Sequence, residues 1–300
     1  MNANAPKKPV VVAVSADQPT VVEYAAGEAR RRGAELVVLH VCGTVLQDVG
    51  AVAAISASPQ DDADATAVLD QAKRVIDGLV DAPPTRYTSE LGSVIKTIED
   101  HAAKAQLLVV GADEINWFER VLGGAIARHI AEHAACPVIV VPPVHDLSAL
   151  YGGVCVAVDD DAQAAGPLRF AFEEASARES TLVVLHVVPE GVDHDEMEAS
   201  RVGVAEVLAG WHEEFPDVAV TTRVVSEDEV VTAAARMSEQ SELLVVGRPR
   251  RGFLSGRAAA PRLTREAHCP LAVVDGDYGV RRNAGVVDAM RDVTSHEDAR

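Results

Sequence analysis

"AELVVLHV" at 34–41 returns 146 positions later as "STLVVLHV" at 180–187. Working outward, "VVVAVSAD" (10–17) reappears as "VCVAVDDD" (154–161), "AQLLVVGA" (105–112) as "SELLVVGR" (241–248), and "HAACPVIVV" (133–141) as "EAHCPLAVV" (266–274). These three pairs are offset by 144, 136 and 133. The chain is an internal duplication, and its second copy is ten residues shorter between the second and third of these blocks in chain order and three shorter between the third and the last.

Each block is a short, β-branched, almost continuously apolar run, as expected of a parallel strand covered on both faces. Amphipathic stretches separate them. "TVVEYAAGEARRRG" (20–33) has apolar positions at helical spacing, arginines in its last turn to suit the helix dipole, and Gly33 as the stop. "TRYTSEL" (85–91) and "VAVTTRVV" (218–225) supply one further strand per copy. Five strands alternating with helices, joined by right-handed crossovers, predict an α/β fold with two Rossmann-like open parallel sheets in tandem. The expected organisation is a repeat at 8–142, a linker at 143–152, a repeat at 153–275 and a polar, loosely ordered tail at 276–300.

Composition narrows the function classes. Of 300 residues, 48% are hydrophobic and 24% charged, which is the make-up of a folded protein with length enough for two cores. A formal net charge of -19 argues against nucleic acid and anionic membrane as partners, since phosphates are held largely through Lys and Arg. No signal-like apolar run precedes the first strand, and no stretch of about 18 apolar residues occurs, so a cytoplasmic location is expected. Cys42, Cys136, Cys155 and Cys269 form no C-x-x-C pair and sit in or beside apolar runs, which reads as buried, reduced thiols.

Both repeats resemble universal stress protein domains. The likeness rests on the "VAV" first strand, the "VVLHV" second strand, the "LLVVG" fourth strand with its glycine loop, and "CPV" or "CPL" opening the fifth. It implies the strand order 3-2-1-4-5 and, in many members, ATP at the carboxyl ends of strands one and four. Topology points to the same place, because ligands of open α/β sheets lie where the strand order reverses. The resemblance also implies dimerisation through strand five. The duplicated apolar edge therefore predicts an intramolecular pseudo-dimer of the two repeats, with homodimerisation through strand-five edges as a further arrangement.

The ATP-binding members carry an Asp ending strand one and a loop G-x2-G-x9-G-[S/T] after strand four, whose backbone N–H groups approach phosphate. The first repeat keeps Gly111 and Gly124, and Val41 at the end of strand two. It has Ser15 where the Asp is expected, Glu114 for the middle glycine and Ala125 for the hydroxyl residue. A carboxylate about 5 Å from a phosphate charge costs roughly 3 kcal/mol at an effective dielectric of 20. Asp113 and Glu114 thus oppose a triphosphate there unless Mg²⁺ bridges them, and a solvated acidic loop is the simpler reading. The second repeat keeps Asp159, Val187 and Gly247 but has Arg250 for the middle glycine and Gly256-Arg257 as the nearest match to the last pair. Arg250, Arg251 and Arg257 can grip phosphate by guanidinium forks in place of the lost backbone cradle. The competing reading pairs these arginines with the protein's own carboxylates, or sets "RPRR" (248–251) against "ADE" (112–114) across the repeats.

Other constellations carry less. "VDDD" (158–161) looks like a receiver-domain pocket but lacks the partner Asp and Lys at the ends of strands three and five. His129 and His133 have chelating spacing without a third ligand, and read as partly exposed helix residues. His40 and His186, equivalent at the end of strand two, read as structural hydrogen-bonders. Trp117, Phe118, Trp211 and Phe215 read as amphipathic packing. Nothing pairs a nucleophile with a base, so no enzyme activity is expected. The expected function is a non-catalytic sensor of adenine nucleotide (ATP, with Mg²⁺ only alongside it) or another anion; an interaction scaffold without nucleotide is the alternative.

Overall fold

The computed structural model describes residues 7–15, 18–42, 59–112, 129–130, 133–142, 152–158, 165–227, 230–248, 262–263 and 266–279. The first repeat contributes β1 (Val10–Ala13), α1 (Pro19–Arg32), β2 (Leu36–Cys42), α2 (Pro59–Asp77), β3 (Thr85–Leu91), α3 (Val94–Ala102), β4 (Leu107–Gly111) and β5 (Val138–Val141). The second contributes β6 (Val154–Val158), α4 (Ala165–Ala177), β7 (Leu182–Val188), α5 (His194–Leu208), α6 (Trp211–Glu214), β8 (Val220–Ser226), α7 (Val230–Ser238), β9 (Leu243–Gly247) and β10 (Leu271–Val274).

The two expected five-stranded sheets are present and join edge to edge into one. Ten strands run in the order β3-β2-β1-β4-β5-β10-β9-β6-β7-β8. Every adjacent pair is parallel except β5 with β10, which meet antiparallel with Leu271 opposite Val140, Ala272 opposite Ile139 and Val273 opposite Val138. Ile139 and Ala272 are equivalent positions of the duplication, so the pseudo-twofold axis passes through that pair, as in an isologous dimer interface. Both strand-five edges are thereby occupied within the chain. Pairing between chains through strand five has no edge left to use, and the outer strands of the sheet are β3 and β8.

The cores follow from this join. On one face, Val10, Val12, Leu36 and Leu107 of the first repeat and Val154, Val156, Leu182 and Leu243 of the second belong to a single buried cluster covered by α1, α2, α4 and α5. On the other face the cores stay separate, one under α3 around Val11, Leu39 and Leu108, the other under α7 around Cys155, Leu185 and Leu244. At about 25 cal/mol per Å² of apolar surface, the shared face makes separation of the repeats costly.

Helix α1 stops as read from sequence. Gly33 is left-handed (φ 55°) and Ala34 N–H donates to Ala29 O at 2.9 Å, a turn of the Schellman type. The equivalent turn after α4 carries Glu179 at φ 53° with Ser180 N–H on Ala175 O at 2.9 Å. Trp211 and Phe215 stack on Phe172, the packing role expected of them; Trp117 and Phe118 lie outside the described residues. The start of the expected tail is packed: Tyr278 meets Phe170 edge-on and donates to Glu173 at 2.7 Å.

Candidate functional site

The carboxyl ends of β1 and β4 in the first repeat, and of β6 and β9 in the second, flank the reversal in strand order. Matching histidines brace both places. His40 Nδ1–H donates to Val14 O at 2.8 Å and His186 Nδ1–H to Val158 O at 3.1 Å. A carbonyl only accepts, so the proton sits on Nδ1 in both, and the rings tie strand two to strand one. Val41 and Val187 follow them, both half-buried.

The two crevices differ at their glycines. Gly111 is buried, and a Cβ there would lie 2.8 Å from Gln18 Nε2, 3.1 Å from Val21 Cγ2 and 3.3 Å from Gln18 Cδ. Gln18 is the residue preceding α1, and it makes no capping hydrogen bond there. Its amide instead folds over the β4 glycine, with Oε1 buried and, among the described residues, without a hydrogen-bond partner. Gly247 is exposed, and among the described residues a Cβ would meet only Pro167 Cγ at 3.5 Å. Among the described residues, Gln18 packs over the strand-four glycine of the first repeat, whereas only Pro167 comes near that of the second. Ser15, at the end of strand one in the first repeat, is exposed.

Of the arginines in the second loop, Arg248 does not face a crevice. It pairs with Asp275 at 3.1 Å and donates to Cys136 O of the first repeat at 3.2 Å. Its pKa is lowered by burial, which Asp275 only partly offsets. Arg262 lies 3.6 Å from Glu266. Asp159, Arg250, Arg251, Gly256, Arg257 and Gly124 lie outside the described residues, as do Asp113 and Glu114. His129 pairs with Glu99 at 2.7 Å and stacks on His133; among the described residues no group of three or more potential ligands could hold a metal.

A second polar centre sits where the helices of the two repeats meet, and it was not foreseen. Arg178 donates to Glu28 at 2.5 Å and pairs with Glu174 at 3.1 Å; Arg32 bonds both Glu174 and Glu28. Glu28 and Glu174 are related by 146, as are Arg32 and Arg178, so each arginine bridges its own repeat's glutamate and the other's. The aromatic beneath is equivalent too: Arg178 lies over Tyr24 and Arg32 over Phe170, both at 5.9 Å from the ring centre. Burial would raise the Glu28 pKa, but Arg178, Arg32 and Arg31 hold it down to about 2. Burial opposes the charge on Arg178, and Tyr24, Glu28, Glu174 and Glu242 more than offset it, raising its pKa well above the ordinary value. The signal was present in the sequence, where the duplication places a Glu and an Arg four apart at matching positions.

These features define a two-repeat, doubly wound α/β protein whose repeats form one body and whose strand-four glycines are unequally covered. The model of the Universal stress protein family matches residues 7–142 and 151–275. The chain belongs to the universal stress protein family. It is 31% identical over 282 residues to a universal stress protein of Mycolicibacterium smegmatis, covering 87% of this chain and 94% of that one. It is 32% identical over 206 residues to one of Mycobacterium tuberculosis, covering 63% of this chain and 68% of that one. In fold it resembles a universal stress protein from Archaeoglobus fulgidus with a TM-score of 0.65 at 17% identity, covering 90% of this chain and 97% of that chain.

Proposed function

We propose that this protein is a non-catalytic stress-response protein whose second repeat takes up an adenine nucleotide, ATP with Mg²⁺, or another anion, while its first repeat does not. The observation that carries this reading is the contrast between Gly247, exposed at the end of β9, and Gly111, buried under Gln18 at the end of β4. Phosphate held by backbone N–H groups needs close approach to the strand-four glycine, which a side chain packed over it forbids. Asp159 would bind the nucleoside, and Arg250, Arg251 and Arg257 would hold the phosphates. No helix among the described residues is long and apolar enough to cross a membrane; we place the protein in the cytoplasm.

Isothermal titration with ATP and Mg²⁺ tests this. One site per chain, lost in Asp159→Ala and kept in Ser15→Ala, is the expected result. Two sites, or one that survives Asp159→Ala, would reject the assignment to the second repeat. The scaffold reading has its own support in the internal pairing of Arg248 with Asp275 and Cys136, which withdraws one loop arginine from any anion. Absence of heat with ATP, AMP and inorganic phosphate alike would favour it.

A further inference from the structure

The seam at the middle of the sheet shows how equivalent strands of this chain pair. Leu108 N–H donates to Pro137 O and Leu244 N–H to Pro270 O, so Ile139 and Ala272 turn their backbone groups toward their own repeats. The pseudo-twofold axis therefore passes through a non-hydrogen-bonded pair, flanked by Val138 with Val273 and Val140 with Leu271.

The outer edge of β3 offers the same geometry. Leu36 N–H donates to Pro84 O at 2.8 Å and Leu36 lies opposite Thr85, so the backbone groups of Arg86, Thr88 and Glu90 face β2. Those of Thr85, Tyr87, Ser89 and Leu91 face outward, and among the described residues no strand pairs with them. Neither a proline nor a bulge interrupts the row, and Leu91 at its end is 53% exposed. An open row of this kind is a template for another strand.

Charge selects which strand. Arg86 and Glu90 stand two residues either side of Thr88, the middle residue of β3. In an antiparallel pairing of β3 with a second β3 about Thr88, Arg86 lies opposite the partner's Glu90, and Glu90 opposite the partner's Arg86. Both pairs fall at non-hydrogen-bonded positions, where opposed side chains come closest, and the exposed Leu91 comes diagonal to the partner's Tyr87. Moving the axis two residues either way sets Arg86 or Glu90 against its own copy. Within the chain Arg86 meets Glu35 at 3.3 Å and Glu90 meets His101 at 2.7 Å, but both remain about half exposed and within reach of a second chain. The other outer strand lacks this complementarity. In β8, Leu182 N–H donates to Ala219 O, which gives the same alternation, yet Arg223 occupies the centre and Thr221 and Val225 replace the charged pair. The same pairing there would set Arg223 against itself, which is destabilising.

We propose that the chain forms a homodimer through β3, two copies pairing antiparallel about Thr88 so that Arg86 of each meets Glu90 of the other.

Sedimentation velocity of the full chain over a dilution series tests this at about 0.15 M salt, where repulsion between two negatively charged chains is screened beyond about 8 Å. The expected result is a monomer–dimer equilibrium. Arg86→Glu and Glu90→Arg each set like charges opposite one another twice, and each should weaken association about tenfold or more. Mixed in equal amounts, these two variants should form a heterodimer, because one chain then presents two glutamates to two arginines. The double variant Arg86→Glu/Glu90→Arg should regain association although its bonds to Glu35 and His101 stay broken, which separates pairing between chains from effects on the fold. Arg223→Glu should change nothing. A monomer at every concentration, a dimer indifferent to both single variants, no association in the mixture and the double variant, or loss of the dimer in Arg223→Glu would each overturn the proposal.

Discussion

Arg178 of the second repeat reaches Glu28 of the first at 2.5 Å, inside a site where both side chains are almost fully buried. The contact is reciprocal, since Arg32 reaches Glu174 in the opposite direction. Removing one partner strands a charge that burial then penalises. Arg178→Ala should lower the unfolding free energy by about 3–5 kcal/mol in urea titration. Arg236→Ala breaks a pair whose arginine is 66% exposed and should cost about 1 kcal/mol at most. Equal effects would show that the junction is not what joins the repeats.

The same cluster sets a limit at low pH. The Glu28 carboxyl, ordinarily near 4.5, is held down to about 2 in the folded protein. Between those values the unfolded chain binds the proton and the native one does not, so stability is present above about 4.5 and is lost as pH falls toward 2. Chemical denaturation from pH 6 to 2 should show this fall, with a shallower slope in Glu28→Gln.

Alanine at the two strand-four glycines should separate them. At Gly111 a Cβ is placed 3.1 Å from packed Val21 and against the Gln18 amide, and the expected cost is about 1–2 kcal/mol. At Gly247 the nearest described atom is Pro167 Cγ at 3.5 Å, and the change should stay within about 0.5 kcal/mol. Paired urea melts of the two variants decide the point.

Thiol reactivity should be equally uneven. Burial pushes Cys136, Cys155 and Cys269 up to about 12, whereas Cys42 is half-buried beside Ser89. A thiolate-trapping disulfide reagent at pH 8 should label one cysteine in the native protein and four in guanidinium. Rapid labelling of a second native thiol would contradict the burial described.

Much of the fold was legible because strands buried on both faces leave a loud signal. The four duplicated blocks were readable from apolar runs and the α1 stop from Gly33, whereas β3 at 85–91 is a largely polar outer strand that the repeat architecture, not an apolar run, led one to expect. Side-chain partnerships were not. Arg30, Arg31 and Arg32 looked like a dipole-satisfying last turn, yet Arg31 and Arg32 bind buried Glu28. Helical periodicity carries no information about a partner 146 residues away; only comparison of the two copies does. Gln18 was overlooked for a similar reason: a single amide before a helix resembles ordinary solvent-facing polarity until its neighbour across the sheet is known.

The antiparallel seam between β5 and β10 has a further consequence. A dimer built from two identical chains cannot alter one half alone, because any substitution is made twice. Here both halves are encoded separately yet held in one body, so each can drift on its own. Phenylalanine for tyrosine at 170 and 24, and glutamate for glycine at 179 and 33, record such drift. Joining the halves in one chain frees the molecule from exact symmetry, so that each end of the sheet can carry its own chemistry.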